Sequence, residues 1–277
     1  MERQNGKKSE YLVLLEMAIG RRGWRYEDGD WFSIGTARIA AGLQATRRSH
    51  PQAAQMAAKL HNVYLFLYNS LQAIGWAISL WRILISFSST KSVNGAYASA
   101  GELICFLQSV AFLEVFHGAI GIVPSGVLLP LMQWGGRTHF LLALVWSINE
   151  VQELPAVFIT FFAWSLSEVI RYSHYALNCI ISTPPYWVTF LRYTVFIVLY
   201  PIGVAPGEMW LMYQALPFIK ERNLYRDFLP FSYYNFVVVL LLLYPVLWLK
   251  LYLHLFKQRH SKLGKLQKRK RGLSRNY

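Results

Sequence analysis

The chain has 277 residues, 55% of them hydrophobic and 16% aromatic, with a mean hydropathy of +0.28 and a formal net charge of +14. So many apolar residues, gathered into runs of membrane-spanning length, exclude an ordinary soluble domain. The charge sits at the ends: ten Lys/Arg precede Val63, and ten more follow Leu249 with no acid among them. That placement excludes a nucleic-acid-binding face and points instead to a membrane surface.

In chain order, residues 1–62 read as a polar and basic N-terminal cytoplasmic extension. Residues 63–256 read as the membrane domain, an all-α integral-membrane bundle of six transmembrane helices. The first span covers 63–87 and ends before the polar stretch 88–94. The second covers 103–123, closed by Pro124-Ser125-Gly126. The third covers 127–151, interrupted by Gly135-Gly136-Arg137, and the fourth covers 155–181, ended by Thr183-Pro184-Pro185. The fifth starts near Trp187, is expected to break at Tyr200-Pro201, and resumes over 206–218. The sixth covers 233–256, and 257–277 form a basic cytoplasmic tail attracted to anionic membrane lipid. Basic clusters at both ends place both termini in the cytosol, which requires an even number of spans. The loop 220–227, with three basic and two acidic residues, is the one segment that argues the other way. Cys105 and Cys179 lie in apolar runs without CxxC spacing or a nearby His pair, so they read as packing residues rather than metal ligands.

Ionisable residues at membrane depth mark candidate sites. Glu114 and His117 stand three apart on one helix face, as do Glu168 and Arg171, the latter pair followed by Tyr172. Arg137 lies midway along the third span and Arg192 within the fifth. Two readings stand for these groups. They are structural ion pairs, or Arg137, Arg171, Tyr172 and Arg192 line a polar cavity that binds a thioester or phosphate, a task suited to the directed donors of Arg.

The segment Tyr200-Pro201-Ile202-Gly203-Val204-Ala205-Pro206-Gly207-Glu208 sets a phenol and a carboxylate in an apolar run that holds two prolines and two glycines. Two readings stand for it: a proton-transfer pair acting on a lipid-like substrate, or a Pro-kinked helix with a snorkelling Tyr and a Glu capping its second half. On a straight α-helix eight steps separate them by about 12 Å and turn them about 80° apart, so both reach one reacting centre only if the helix departs from α geometry. The prolines and glycines supply the means.

With these residues in view the chain resembles a known family. Tyr68-Asn69, Leu113-Glu114 with His117-Gly118, Glu150-Val151-Gln152 and the run Trp164-Ser165-Leu166-Ser167-Glu168-Val169-Ile170-Arg171-Tyr172-Ser173 carry the likeness. So do Leu191-Arg192-Tyr193-Thr194, Tyr200-Pro201-Ile202-Gly203-Val204, Glu208 and Ala215-Leu216-Pro217. In this order they look like the very-long-chain (3R)-3-hydroxyacyl-CoA dehydratases, also called protein tyrosine phosphatase-like A proteins. The phosphatase likeness carries no phosphatase chemistry. In His117-Gly118-Ala119-Ile120-Gly121-Ile122-Val123-Pro124, Gly stands at the position of the nucleophilic cysteine and Pro at that of the arginine.

The resemblance implies dehydration of a (3R)-3-hydroxyacyl-CoA to the trans-2-enoyl-CoA in fatty-acid elongation at the endoplasmic reticulum membrane. It implies Tyr200 and Glu208 as the catalytic pair, no metal or redox cofactor, and other elongation enzymes as partners beside the long-chain acyl-CoA and membrane lipid. Either residue is the base at this point. One departure matters: the family pattern sets its Glu seven residues after its Tyr, and here the step is eight, with Pro206 as the extra residue. A chain that fails to absorb it is a weak or inactive member, a membrane scaffold for elongation enzymes. A third reading, a small lipid or solute transporter with a broken-helix site, lacks the paired second break that such folds often carry.

Overall fold

The computed structural model describes residues 51–123, 127–181 and 184–274. Most of the 1–62 extension, the Pro124-Ser125-Gly126 closure, Thr183 and the end of the tail lie outside them. Secondary structure among the described residues is helical. The elements are α1 (Pro51–Thr90), α2 (Ala96–Val110), α3 (Leu113–Ala119), α4 (Leu128–Thr138), a π-helical segment π1 (His139–Val145), α5 (Asn149–Gln152), α6 (Pro155–Ile180), α7 (Tyr186–Arg192), α8 (Phe196–Ile202), a second π-helical segment π2 (Gly203–Met209), α9 (Trp210–Arg222) and α10 (Tyr233–Ser274).

Several ends have causes in local chemistry. Pro155 opens α6, where its missing N–H and fixed φ cost nothing. Asn223 ends α9 in the left-handed region at φ 47°, a conformation Asn tolerates better than most side chains. The helix α1 begins at Pro51, ahead of the expected 63, and α10 carries on past 256 into the basic tail.

Among the described residues four helical stretches are long and apolar enough to cross a membrane: Gln55–Thr90, Ala96–Ala119, Tyr186–Arg222 and Tyr233–Gly264. The expected count of six is not reached on that criterion. The third expected span falls on α4, π1 and α5, which a turn punctuates, and the fourth falls on α6, whose apolar run is interrupted by Glu168 and Arg171. Along α10 only 6% of the apolar window is buried, and Leu242, Val246, Leu249 and Leu253 all face outward. A surface of that kind is stable against lipid and not against water.

The chain divides into two compact units. In one, the described residues up to Tyr68 join Ala111–Trp134. Here the buried His117 binds the Tyr64 hydroxyl at 2.8 Å and sits edge-on to the rings of Tyr64 and Tyr68, while Tyr68 donates to Glu114 at 3.5 Å. Glu114 and His117 thus do share a face of α3, and they knit it to the first helix.

The other unit holds Asn69–Val110 and everything from Gly135 onward. Its centre is α6, against which α2, α7, α8 and π2 pack. The π2–α6 contact is unusually close. A Cβ at Gly207 would lie 2.4 Å from Thr160 Oγ1, and one at Gly203 would lie 3.3 Å from the Ala163 Cβ. Glycines four residues apart let the two backbones meet along one line.

Candidate active site

The expected break of the fifth span is not an interruption. The chain runs from α8 through π2 into α9 without leaving right-handed helical backbone. Ile202 lies at φ −67°, ψ −44°, Gly203 at −66°, −38°, and Met209 at −67°, −43°. What changes is the hydrogen-bond register: the Trp210 N–H reaches back five residues to the Ala205 carbonyl. A π turn holds more residues than an α turn, so it takes up one residue with little change in the direction of the helix beyond it. Seven α steps leave two side chains about 20° apart, and eight steps that include a wide turn come close to the same result. Pro206, exposed in the middle of π2, offers no N–H, and a widened turn leaves an unmatched position where none is needed. Gly203 and Gly207 were expected to help break the helix; instead they serve its close approach to α6.

The neighbours of Tyr200 and Glu208 show the outcome. Tyr244, Trp248 and Tyr252 recur at four-residue spacing along one face of α10. Tyr200 stacks on Tyr252 with ring centroids 6.0 Å apart and lies 6.4 Å from the Trp248 ring, while Glu208 Oε2 accepts a hydrogen bond from the Tyr244 hydroxyl. Both side chains therefore face the same stripe of the same helix. Tyr200 is half-buried and Glu208 is 7% exposed. The second carboxylate oxygen, Oε1, accepts from the buried Trp164 indole N–H at 2.8 Å. An indole N–H only donates, so Oε1 is held as an acceptor. The Trp248 indole N–H, one turn from Tyr244, is buried with no acceptor among the described residues.

Behind this site lies an ionic frame. The Glu168 carboxylate, 1% exposed, pairs through one oxygen with Arg137 and through the other with Arg171. The Arg137 guanidinium also lies 4.8 Å over the Trp164 ring, the same indole that holds Glu208, and Arg171 lies 4.2 Å over Tyr172. A lone buried carboxylate is costly, and two guanidiniums satisfy it. Arg192 meets this frame at Tyr175, whose ring centroid also lies 5.7 Å from the Arg171 guanidinium. It lies 5.6 Å over the Tyr175 ring and donates to the Tyr175 hydroxyl at 3.2 Å.

Of the residues expected at the site, the structure thus brings Tyr200 and Glu208 to one helix face. It joins Arg137 and Arg171 through Glu168, sets Tyr172 under Arg171, and sets Arg192 against the Tyr175 ring that Arg171 also approaches. Tyr244, Trp248 and Tyr252 were not expected at the site, and Trp164 entered only within the run that carries the family likeness, because each lies in an apolar run where an aromatic looks like packing. The one available signal was the four-residue spacing of Tyr244, Trp248 and Tyr252, which sets them on one helix face.

The protein tyrosine phosphatase-like (PTPLA) family model matches residues 108–265, which span every group just described. The chain belongs to that family. Its relatives include the human very-long-chain (3R)-3-hydroxyacyl-CoA dehydratase 2, 35% identical over 218 residues, covering 76% of this chain and 85% of the relative. The mouse protein of the same name is 36% identical over 214 residues, covering 75% and 84%. The rice dehydratase PASTICCINO 2A is 33% identical over 172 residues, covering 62% and 77%. No solved structure matches the chain.

Proposed function

We propose that this protein is a very-long-chain (3R)-3-hydroxyacyl-CoA dehydratase of the endoplasmic reticulum membrane that forms the trans-2-enoyl-CoA and water during fatty-acid elongation. The observation that carries the reading is the shared face of Tyr200 and Glu208, held by Tyr244 and Trp164 on the carboxylate and by Trp248 and Tyr252 beside the phenol. The names of the relatives, all dehydratases of this class, supply the reaction.

Elimination of water needs a base for the C2 proton and an acid for the departing C3 hydroxyl. Glu208 is the base. Both of its oxygens accept hydrogen bonds from donors, so the carboxylate is held ready as an acceptor. Tyr200 is the acid and delivers its phenolic proton to the leaving hydroxyl. Loss of the C2 proton throws negative charge onto the thioester oxygen. The Trp248 N–H beside Tyr200, which meets no acceptor among the described residues, is the donor that receives it. Arg137, Arg171 and Tyr172 act through the Glu168 frame, with Arg137 steadying the indole that orients the base.

The acyl chain lies in an apolar cavity of about 230 Å³ between α4, α9 and α10, with Gly136, Met212, Phe236 and Leu240 among its walls and Tyr244 at the end nearest Glu208. Six crossings with both termini in the cytosol complete the reading, with α6 and the α4–π1–α5 stretch crossing beside the four apolar helices. The eight-residue step was the support for an inactive scaffold, and a π turn over Gly203–Met209 that takes up the extra residue supports the active reading instead. The test is dehydration of a long-chain (3R)-3-hydroxyacyl-CoA by the purified protein in lipid nanodiscs. A folded preparation that forms no enoyl-CoA refutes the reading.

A further inference from the structure

At the far end of the same helix face lies a second polar cluster, which meets the ionic frame at the Tyr175 ring, 5.7 Å from the Arg171 guanidinium. α7 ends at Arg192, and the turn after it carries Tyr193 and Thr194. Arg192 lies 5.6 Å from the centroids of both the Tyr175 and Tyr193 rings, and one of its terminal nitrogens donates to the Tyr175 hydroxyl. Its Nε is buried and has no acceptor among the described residues. From the other side Arg259 of α10 reaches the same turn, donating from Nε to Thr194 Oγ1 at 3.4 Å. Lys262 stands one turn further on, and both it and Arg192 lie near enough to His174 to act on it electrostatically. Among the described residues no carboxylate pairs with Arg192 or Arg259, in contrast to Arg137, Arg171 and Arg222.

Two guanidiniums drawn to one short turn, one with a buried donor unmet, repel each other unless an anion joins them. Arg recognises phosphate better than any other side chain because its planar fork matches two phosphate oxygens at once. The location suits one phosphate source in particular. Tyr252, which stacks on Tyr200, precedes Arg259 by seven residues on nearly the same face, a rise of about 10 Å. Arg192 lies near the start of the Tyr186–Arg222 stretch and Arg259 near the end of Tyr233–Gly264, so both fall at the same edge of the membrane.

We propose that Arg192 and Arg259 bind the phosphate groups at the CoA end of the substrate. α10 then acts as a substrate rail: Phe236, Leu240 and Tyr244 line the path of the acyl chain, Trp248 and Tyr252 flank the reacting carbons, and Arg259 holds the nucleotide end. The assignment rests on the dehydratase reading above. The shared chemistry is a phosphate ester, which a CoA nucleotide or an anionic lipid headgroup supplies, and the two sources separate by experiment.

The full-length protein in phosphatidylcholine nanodiscs is assayed with one 3-hydroxyacyl group carried either on CoA or on pantetheine, which lacks the phosphates. The wild-type protein favours the CoA thioester in kcat/KM. Arg192→Gln and Arg259→Gln each lose about tenfold or more on the CoA thioester, with the loss falling on that substrate alone. Equal losses on both thioesters overturn the proposal, as does equal use of both by the wild type. If phosphatidylserine in the disc sets the size of the defect on both substrates alike, the site belongs to lipid and the proposal falls. A wild-type protein that dehydrates neither thioester refutes the dehydratase reading instead. In that case binding of CoA itself decides the phosphate site: it stands if the wild type binds CoA and both variants have lost it, and it falls otherwise.

Discussion

Replacing Gly207 by Ala probes the link between packing and chemistry. The added Cβ meets Thr160 Oγ1 at 2.4 Å, where ordinary contact begins near 3.4 Å, so about 1 Å of displacement is needed. The threonine hydroxyl cannot yield freely, because it already donates to the Ala156 carbonyl at 2.8 Å, and losing that bond costs about 1 kcal/mol. Moving π2 away from α6 is the other outlet. It shifts Glu208, the next residue, relative to the Trp164 indole on α6. Overpacking of this kind destabilises by about 1–3 kcal/mol. Misplacing a catalytic group by about 1 Å costs about 10²-fold in rate. Gly207→Ala is therefore expected to lower kcat about a hundredfold with a modest fall in thermal stability. Adding Thr160→Ala should restore most of both, since the remaining Thr160 atoms stand 3.5 Å from the new Cβ. Adding Thr160→Ser should not, because the hydroxyl stays. The measurements are thermal unfolding in detergent and dehydration kinetics in nanodiscs. A folded Gly207→Ala protein with wild-type kcat refutes the reasoning.

Three further outcomes rest on the same geometry. Deleting Pro206 lets π2 revert to α register with Glu208 on the same face, so activity should stay within a few-fold of wild type; a folded, inactive deletion would show that the wide turn is needed for more than register. Trp248→Phe keeps an aromatic ring against Tyr200 but removes the indole N–H donor, and kcat should fall about 10²–10³-fold with KM little changed, as steady-state kinetics will read. A Cβ at Gly136 meets nothing within 4 Å, so Gly136→Phe should fold, intrude on the acyl cavity and shift turnover toward shorter acyl chains. An unchanged chain-length profile would remove that cavity from the acyl path.

Much of the site was legible because its chemistry is written in residue types that membranes otherwise exclude. Glu208, Glu168, Arg137 and Arg171 stand out of apolar runs, and burial forces each to find a partner. The i, i+3 spacing also named the Glu168–Arg171 pair correctly. The partners across helices were not legible. Arg137 reaches Glu168 from 31 residues away and Tyr244 reaches Glu208 from 36, and nothing in the local pattern fixes those distances. The π turn was invisible for another reason: a shift of hydrogen-bond register leaves the hydropathy unchanged, while Pro and Gly at 201, 203, 206 and 207 favour a break on propensity alone. Packing overrode that propensity, because the two glycines gain a close seat on α6. Glu168 and Arg171 also dilute the apolar signal of α6, so it is not among the four described stretches long and apolar enough to cross a membrane.

The most direct test of the catalytic pair is the rate of dehydration by Tyr200→Phe, Glu208→Gln and the double variant, each measured on folded protein in nanodiscs. Each single change should lower kcat about 10²–10⁴-fold. Because both groups serve one elimination, the double variant should be little worse than the worse single variant. Wild-type rates in both single variants would contradict the account, and losses that simply multiply in the double variant would contradict a shared step.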